Sequence, residues 1–140
     1  MIVKLGSILK ALNKDLEWEY AAGIQYIQHS AVMTGPEYES VIKELIIHSQ
    51  EEMAHAVMIA DQIAFLGGVP SVAVENIVAS PDNITMLEQD LRGEQQAIDG
   101  YKERIWQAEQ LREYGLRRTL EDILIQEEEH KRDLLTALGK

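Results

Sequence analysis

The sequence predicts an all-α protein: a bundle of four long helices, folded as two antiparallel hairpins that one long crossover connects. Two observations lead to this prediction. Proline and glycine cluster at a few places and divide the chain into four long segments. Within each segment, apolar residues recur in steps of three and four, the spacing of a helix that buries one face. The 140 residues are enough for a single domain, residues 1–140, with a core that needs no disulfides.

The breaks in the apolar pattern give the expected bounds of the helices. Pro36 fits the first turn of the second helix, where a missing N–H is not needed for a hydrogen bond. Gly115 is expected to separate the third helix from the fourth. The expected helices cover residues 6–33, 36–66, 84–113 and 116–138.

The links between these segments predict how the bundle is wound. The links near Pro36 and Gly115 are only a few residues long, so each joins two antiparallel neighbours. The middle link, residues 67–83, is unusually long for a compact domain. It is long enough to run the length of the bundle and reverse the direction of the second hairpin, a topology found among helical bundles.

Composition and charge exclude several classes of function. The chain has 24 acidic residues against 13 Lys and Arg, a net charge of −11, and a pI near 4.7, so it repels nucleic acid and anionic membranes. It has no cysteine, which excludes disulfides, thiol catalysis and Cys-ligated metal. Its N-terminus lacks a secretory signal pattern and no run approaches about 18 apolar residues. We therefore expect a cytoplasmic protein without a membrane span.

Several polar side chains stand on the buried stripes, where the helical pattern calls for Leu or Ile. They are Glu19, Glu52, His55, Glu94, Glu127 and His130. Burying carboxylates is strongly unfavourable unless their charge is compensated. Two divalent cations would balance four carboxylates, and without cysteine the ligands must be carboxylate and imidazole. Such ligands suit Fe²⁺, with Mn²⁺ and Zn²⁺ as alternatives.

The spacing of these six residues predicts a site for two metal ions. Glu52 and His55 form a Glu-x-x-His pair, as do Glu127 and His130, so each pair lies on one helix face. A lone glutamate precedes each pair at the same interval, and aligning Glu19 with Glu94 superimposes the first hairpin on the second at many positions. This repeat predicts a pseudo-two-fold axis with the six side chains meeting at mid-height. The set matches that of carboxylate di-iron bundles.

The chain resembles the bacterioferritin family over nearly its whole length. The matching stretches are LNKDLEWEYAAGIQYIQH, EEMAHA, DLRGEQQA and ILIQEEEH, which contain all six positions. The resemblance implies a ferritin-like bundle with a di-iron ferroxidase centre inside each subunit. Glu52 and Glu127 would bridge the irons, and the terminal ligands would be Glu19 with His55 and Glu94 with His130.

The same resemblance implies an activity and its partners. The protein would oxidise Fe(II) to Fe(III) with O2 or H2O2, for iron storage and detoxification in a hollow homo-oligomeric shell. A ferredoxin-type reductant would serve iron release. The six ligands would also be the catalytic residues. Tyr26 joins them because it matches a family tyrosine near the di-iron centre, although packing with a satisfied hydroxyl remains the alternative.

The sequence departs from the family at its C-terminal end. Bacterioferritins have a short fifth helix, whereas this chain stops at Lys140, immediately after the fourth. It therefore resembles the shortened, four-helix "mini" bacterioferritins. We expect a 12-subunit shell, with the 24-subunit cage as the alternative. A tryptophan that family members often carry after the last histidine is replaced by Asp133.

Two further residues near Glu52 are interpreted from their position on the helix. Met53 points about 100° away from the metal-binding stripe, towards the outside of the bundle. In bacterioferritins this methionine ligates a haem shared between two subunits, which implies haem b or a related iron porphyrin here; the alternative is an ordinary apolar subunit contact. His48 lies one turn before Glu52 and is expected to have a polar core or surface role rather than a ligand role.

Two other functions compete with a ferroxidase. A rubrerythrin-like di-iron peroxidase is disfavoured because its electron-delivering domain needs four cysteines. Rubrerythrins also have a further Glu three residues after the third-helix ligand, where this chain has Ala97. A non-enzymatic DNA-protecting shell is disfavoured by the net charge of −11 and by a different ligand pattern.

Overall fold

The computed structural model describes residues 2–140 and consists of four α-helices without strands in that range. Both hairpins, α1 with α2 and α3 with α4, are tightly paired, and α1 also packs on α3 and α2 on α4. This confirms the predicted four-helix bundle. Residues 138–140 form a turn after α4, not a fifth helix. The helices are α1 (Leu5–Val32), α2 (Glu39–Phe65), α3 (Asn83–Gln110) and α4 (Tyr114–Ala137).

The long crossover, residues 66–82, runs along α1 from one end of the bundle to the other. Near its start, the side-chain amide of Asn13 donates to the Val69 carbonyl at 3.0 Å. Further on, the Val78 N–H donates to the side-chain oxygen of Gln25 at 3.1 Å. Because the crossover follows α1 towards its C-terminal end, α3 begins there and runs antiparallel to α1, as predicted.

The start of the second helix differs from its prediction. Pro36 is not in the first turn of α2; it opens a short 3-10 turn, Pro36–Tyr38, and α2 begins at Glu39. Gly35 precedes this turn with φ of +112°, a conformation that favours glycine. The chain therefore reverses through a glycine and a tight turn before the α-helix starts.

The turn between α3 and α4 also differs from its prediction. Gly115 lies inside α4, and α3 ends at Gln110, earlier than expected. The reversal occurs at Arg112, whose φ of +58° is left-handed. The Glu113 N–H bonds the Ala108 carbonyl at 3.0 Å, so the last carbonyls of α3 are satisfied by a Schellman-type turn.

The core consists of two apolar clusters with a polar layer between them. One cluster contains Ile8, Leu12, Leu16, Ala56, Ile59, Ile63, Tyr101, Ala108, Leu116, Leu120 and Ile123. The other contains Tyr26, Met33, Leu45, Met86, Leu87 and Leu134. The polar layer therefore lies at mid-height, as the repeat predicts. No helix within residues 2–140 is both long and apolar enough to cross a membrane.

Candidate metal centre

The structure brings the six predicted side chains together in the polar layer. Each helix contributes: α1 carries Glu19, α2 carries Glu52 and His55, α3 carries Glu94, and α4 carries Glu127 and His130. All six are at most 2% exposed. They form two quartets whose ligating atoms lie within 4.8 Å of one another, Glu19–Glu52–His55–Glu127 and Glu52–Glu94–Glu127–His130. Glu52 and Glu127 belong to both.

In each quartet the Nδ1 atom of one imidazole faces three carboxylates. His55 Nδ1 lies 3.5 Å from Glu19 and 3.4 Å from both Glu52 and Glu127. In the other quartet, His130 Nδ1 lies 3.1 Å from Glu52 and 3.3 Å from both Glu94 and Glu127. Imidazole nitrogen and carboxylate oxygen thus converge on two adjacent points, a geometry suited to two cations sharing two carboxylates.

The hydrogen bonding of the polar layer is incomplete without cations. Among residues 2–140, both carboxylate oxygens of Glu127 lack a hydrogen-bond partner, as do Glu19 Oε2, Glu52 Oε1, Glu94 Oε2 and His55 Nδ1. Buried polar atoms normally have partners, and leaving one unsatisfied costs about 1–3 kcal/mol. All of these atoms belong to the two quartets. The donor set present here therefore fits two divalent metal ions.

The electrostatics of three of the four carboxylates show the same need for cations. Burial and the negative charge of Glu127 raise the pKa of Glu19 to about 7. The same two causes raise the pKa of Glu94 to about 8. Burial, followed by the charges of Glu127, Glu19 and Glu94, raises the pKa of Glu52 well above its usual value. Without metal, these acids hold protons in place of cations.

In the two imidazoles and in Glu127, by contrast, the surroundings favour the charged form. Burial alone would lower the pKa of His55, but the close approach of Glu127, Glu19 and Glu52 outweighs burial and raises it. The pKa of His130 is raised in the same way by Glu127, Glu52 and Glu94. For Glu127, burial is outweighed by His130 and His55, which lower its pKa. Glu127 is therefore the carboxylate that stays ionised between two imidazolium groups.

Two tyrosines bind the terminal carboxylates from across the α1–α3 contact. The Tyr26 hydroxyl donates to Glu94 Oε1 at 2.7 Å, and the Tyr101 hydroxyl donates to Glu19 Oε1. Both tyrosines are 2% exposed and occupy equivalent positions of the internal repeat, so the two contacts are equivalent as well. The structure thus gives Tyr26 a direct contact with the centre and gives Tyr101 the matching one.

Two residues that the sequence reasoning missed bind the outer nitrogens of the imidazoles. His55 Nε2 donates to the Gln126 side-chain oxygen at 2.5 Å, and His130 Nε2 donates to Glu51 Oε1 at 3.1 Å. The Gln126 amide in turn donates to the other oxygen of Glu51. Each of the two residues stands one turn before the histidine of its own helix and binds the histidine of the other helix. That shared spacing is the signal that could have found them.

Met53 points away from the metal centre, as predicted from its position on the helix. Its side chain is 42% exposed, and its thioether packs on α1 where Gly23 leaves room. A Cβ added to Gly23 would lie 2.8 Å from the Met53 sulfur. The thioether is thus on the outer face of the α1–α2 hairpin, at a place where a partner or a ligand outside the bundle can reach it.

A cavity of about 220 Å³ lies between α1 and α3 and reaches the carboxylate layer. Its lining includes Glu19 and Glu94 from the carboxylate layer, Lys14 from α1 and Asn76 from the crossover. Small side chains such as Ala97 also line it. The terminal carboxylates are therefore accessible from this side of the bundle.

Most of the curated relatives of this chain are named bacterioferritin or bacterial ferritin. It is 29% identical to a bacterioferritin of Brucella melitensis, over 95% of this chain and 87% of the relative. It is 31% identical to a bacterial ferritin of Synechocystis, over 95% of this chain and 86% of the relative. A relative from Nostoc, 29% identical over 95% of this chain and 78% of its own length, is a nutrient stress-induced DNA-binding protein.

The structural comparison gives the same fold. A ferritin-like, diiron-carboxylate protein from Bacillus anthracis superimposes with a TM-score of 0.93 at 29% identity, over 99% of both chains. The ferritin-like domain family matches residues 9–140, nearly the whole sequence. The chain therefore belongs to the ferritin-like domain family, and within it to the bacterioferritins.

Proposed function

We propose that this protein is a ferroxidase that oxidises Fe(II) to Fe(III) at a di-iron centre inside each subunit. The observation that carries the proposal is the pair of buried quartets sharing Glu52 and Glu127. Shared carboxylates place two cations close enough to react with one oxidant. Four carboxylates and two divalent ions also give a neutral layer, which removes the penalty of burying the acids.

The residues of the polar layer would occupy different ligand positions around the two ions. Glu52 and Glu127, which belong to both quartets, would bind both ions; Glu19 with His55 would complete the ligands of one ion, and Glu94 with His130 those of the other. Because metal must displace protons from Glu19 and Glu94, loading releases protons to solvent. The two tyrosine hydroxyls hold the terminal carboxylates in place, and Gln126 with Glu51 fixes the imidazole orientation.

Two bound Fe²⁺ ions would supply two electrons, which together with two protons from solvent convert O2 to H2O2, or H2O2 to two water molecules. The chain itself would bring substrate and oxidant together at the polar layer, from which bulk water is excluded. The α1–α3 cavity gives a route to Glu19 and Glu94, and the apolar clusters above and below exclude water. Tyr26, bonded to Glu94, is positioned to deliver a proton or an electron to this end of the centre.

The proposal is tested by stopped-flow measurement of Fe³⁺ formation after mixing Fe²⁺ with O2 and, separately, with H2O2. Glu94→Ala and Glu127→Ala should slow oxidation by more than the roughly 10–100-fold that changes behind the ligands cause. Glu121→Ala, on the outer part of α4, is the matched control and should keep the wild-type rate. Wild-type rates in both core variants would refute the di-iron assignment. The faster oxidant identifies the one the centre uses.

The proposal includes a hollow 12-subunit shell and an iron porphyrin held between two subunits by Met53. Bacterioferritin relatives support the shell, and the exposed thioether on the outer α1–α2 face supports the porphyrin contact. Native mass spectrometry reports subunit number, and the visible spectrum reports a Soret band. Met53→Leu should remove that band while Fe²⁺ oxidation persists. A protein without a Soret band when haem is supplied would leave Met53 as an apolar subunit contact.

The competing functions are distinguished by the same preparations. The Nostoc relative is named for DNA binding, but the net charge of −11 argues against transferring that property. A gel-shift assay at low salt tests it directly. A rubrerythrin-like peroxidase is disfavoured because Ala97 occupies the cavity wall where such proteins carry a glutamate.

A further inference from the structure

A second group of side chains that could hold a metal ion lies beside the proposed di-iron centre, between α2 and α4. It consists of Glu44, His48 and Asp133, whose ligating atoms lie within 4.8 Å of one another. His48 Nε2 lies 3.2 Å from Asp133 Oδ2 and 3.8 Å from Glu44 Oε1. None of the three belongs to either quartet, so the group is separate from the centre described above. We call it the α2–α4 cluster.

The buried member of this cluster is a histidine directed at two carboxylates. His48 is 1% exposed, and its Nδ1 has no hydrogen-bond partner among residues 2–140. The imidazole makes its polar contacts through Nε2, the atom aimed into the cluster. Its ring stacks on His130 at a centroid distance of 4.0 Å, which fixes its direction.

The internal repeat does not account for this cluster. The repeat-equivalent positions of its three members carry Thr119, Ile123 and Met58. At the position equivalent to His48 the repeat thus has an apolar core residue, Ile123, which is 1% exposed. In the second hairpin an isoleucine fills this position, so packing alone does not require a histidine here. A buried histidine with two acids is therefore a specific addition to the first hairpin.

The two carboxylates of the cluster face each other, and within residues 2–140 neither has a lysine or arginine at salt-bridge distance. Burial, followed by the hydrogen bond and the charge of Asp133, raises the pKa of Glu44 to about 7. A raised pKa is the expected response of two acids brought close together. A divalent cation between them would remove the repulsion, as proposed for the main centre.

We infer that Glu44, His48 and Asp133 form a third metal site, which binds one divalent first-row cation per subunit. One imidazole and two carboxylates are a suitable donor set for Fe²⁺, Co²⁺, Mn²⁺ or Zn²⁺. Glu44 and Asp133 are 42% and 47% exposed, so an ion reaches the site from solvent and water completes its coordination. This inference concerns equilibrium binding and does not depend on the ferroxidase activity.

The test counts Co²⁺ ions bound by the full-length protein after chelator treatment. Equilibrium dialysis compares Glu44→Gln/Asp133→Asn with Glu39→Gln/Asp122→Asn, which makes the same two changes on the exposed surfaces of α2 and α4. We expect the cluster variant to bind one Co²⁺ per subunit fewer than the control and the wild type. Crystals grown with Co²⁺ should show anomalous density between the three side chains in wild type and none in the cluster variant.

Equal Co²⁺ counts in the two double variants, or no anomalous density at the cluster in wild type, would overturn the inference. Failure of the proposed di-iron centre gives a different result. In that case the quartets would hold no Co²⁺, but the difference of one ion between the two double variants would remain.

Discussion

The proposed metal centre has two halves, one around His55 and one around His130, which the internal repeat relates to each other. They differ in the residues that bind the outer nitrogens of the two imidazoles. In the His55 half, Glu19 receives the Tyr101 hydroxyl; in the His130 half, Glu94 receives the Tyr26 hydroxyl. Up to this point the halves match. The difference lies behind the imidazoles, where His55 meets a neutral amide and His130 meets a carboxylate.

From this difference we predict that the two halves of the proposed centre would hold their ions with different strength. A carboxylate behind a ligating imidazole makes the imidazole more basic and orients it, so Glu51 should strengthen the His130 half. The Gln126 amide orients His55 without adding charge. His48 adds a second asymmetry, because its ring stacks on His130 at 4.0 Å, whereas the ring that stacks on His55 is that of His130 itself, at 6.2 Å. Identical ligands therefore do not imply identical affinities.

The largest expected effect comes from replacing a carboxylate that both halves share. Glu127→Gln should weaken Co²⁺ binding in both halves by more than about 100-fold, beyond the range of changes behind the ligands. Glu94→Gln should weaken only the His130 half by that amount. The measurement is a visible-absorption titration with Co²⁺ in the Glu44→Gln/Asp133→Asn background, which removes the α2–α4 cluster from the count. Loss of only one ion in Glu127→Gln would contradict a bridging role.

A smaller effect is expected from placing the same type of residue behind both imidazoles. Glu51→Gln places an amide behind both imidazoles, so the affinity of the His130 half should fall by roughly 10–100-fold towards that of the His55 half. The same Co²⁺ titration should then show two similar constants in place of two different ones. Glu121→Gln, which removes an acid elsewhere, is the control and should leave both constants unchanged. Constants that stay apart in Glu51→Gln would place the asymmetry elsewhere.

The shared part of the centre could be predicted from the sequence, and the asymmetric part could not. Glu-x-x-His spacing and the internal repeat locate side chains on one helix face, which depends only on helical geometry. The contact between Gln126 and Glu51 joins two helices, so it depends on how each helix is rotated in the bundle. His48 illustrates the same limit: the sequence places it on the buried stripe of α2, but its acidic partner Asp133 lies on another helix.

The turns show a second limit of sequence reasoning. The pattern predicts a break at Gly115, but a glycine inside a helix costs only about 1 kcal/mol relative to alanine and is tolerated in α4. The reversal falls instead on Arg112, a residue with no intrinsic preference for positive φ. Hydrogen bonds to the last carbonyls of α3 fix that turn, and they appear only when the whole hairpin is assembled.

The tyrosines test whether the matched contacts also have matched roles. Tyr26→Phe and Tyr101→Phe each remove a hydrogen bond to a charged group, worth about 1.5–3 kcal/mol, so each should weaken its own half roughly tenfold or more. At saturating Fe²⁺, only Tyr26→Phe should slow oxidation. Tyr26 also lies edge-on to the rings of His48 and His130, at 5.1 and 6.3 Å. Equal oxidation rates at saturation in both variants would make Tyr26 a positioning residue only.

A further prediction concerns the pH dependence of the stability of the metal-free protein. The pKa of Glu19 is raised to about 7 and that of Glu94 to about 8, whereas an unfolded Glu titrates near 4.3. The folded state therefore binds more protons, and its stability should fall as pH rises from about 5 through 8. The raised pKa values of His55 and His130 act in the same direction. Metal-loaded protein should lose this dependence because cations replace the protons.

Glu19 and Glu94 should contribute unequally to the fall in stability with rising pH. Measuring each contribution therefore compares the two halves quantitatively. A difference of one pKa unit corresponds to about 1.4 kcal/mol, so Glu94→Gln should flatten the pH dependence more than Glu19→Gln by about that amount. Urea unfolding of chelator-treated protein between pH 5 and 8.5 measures it. A metal-free protein that becomes more stable as pH rises would show that these acids are not protonated in the folded state. Because the pKa of Glu94 is the higher of the two, protons should compete more strongly with metal in the His130 half at neutral pH. This competition opposes the tighter binding expected from Glu51 behind the same imidazole.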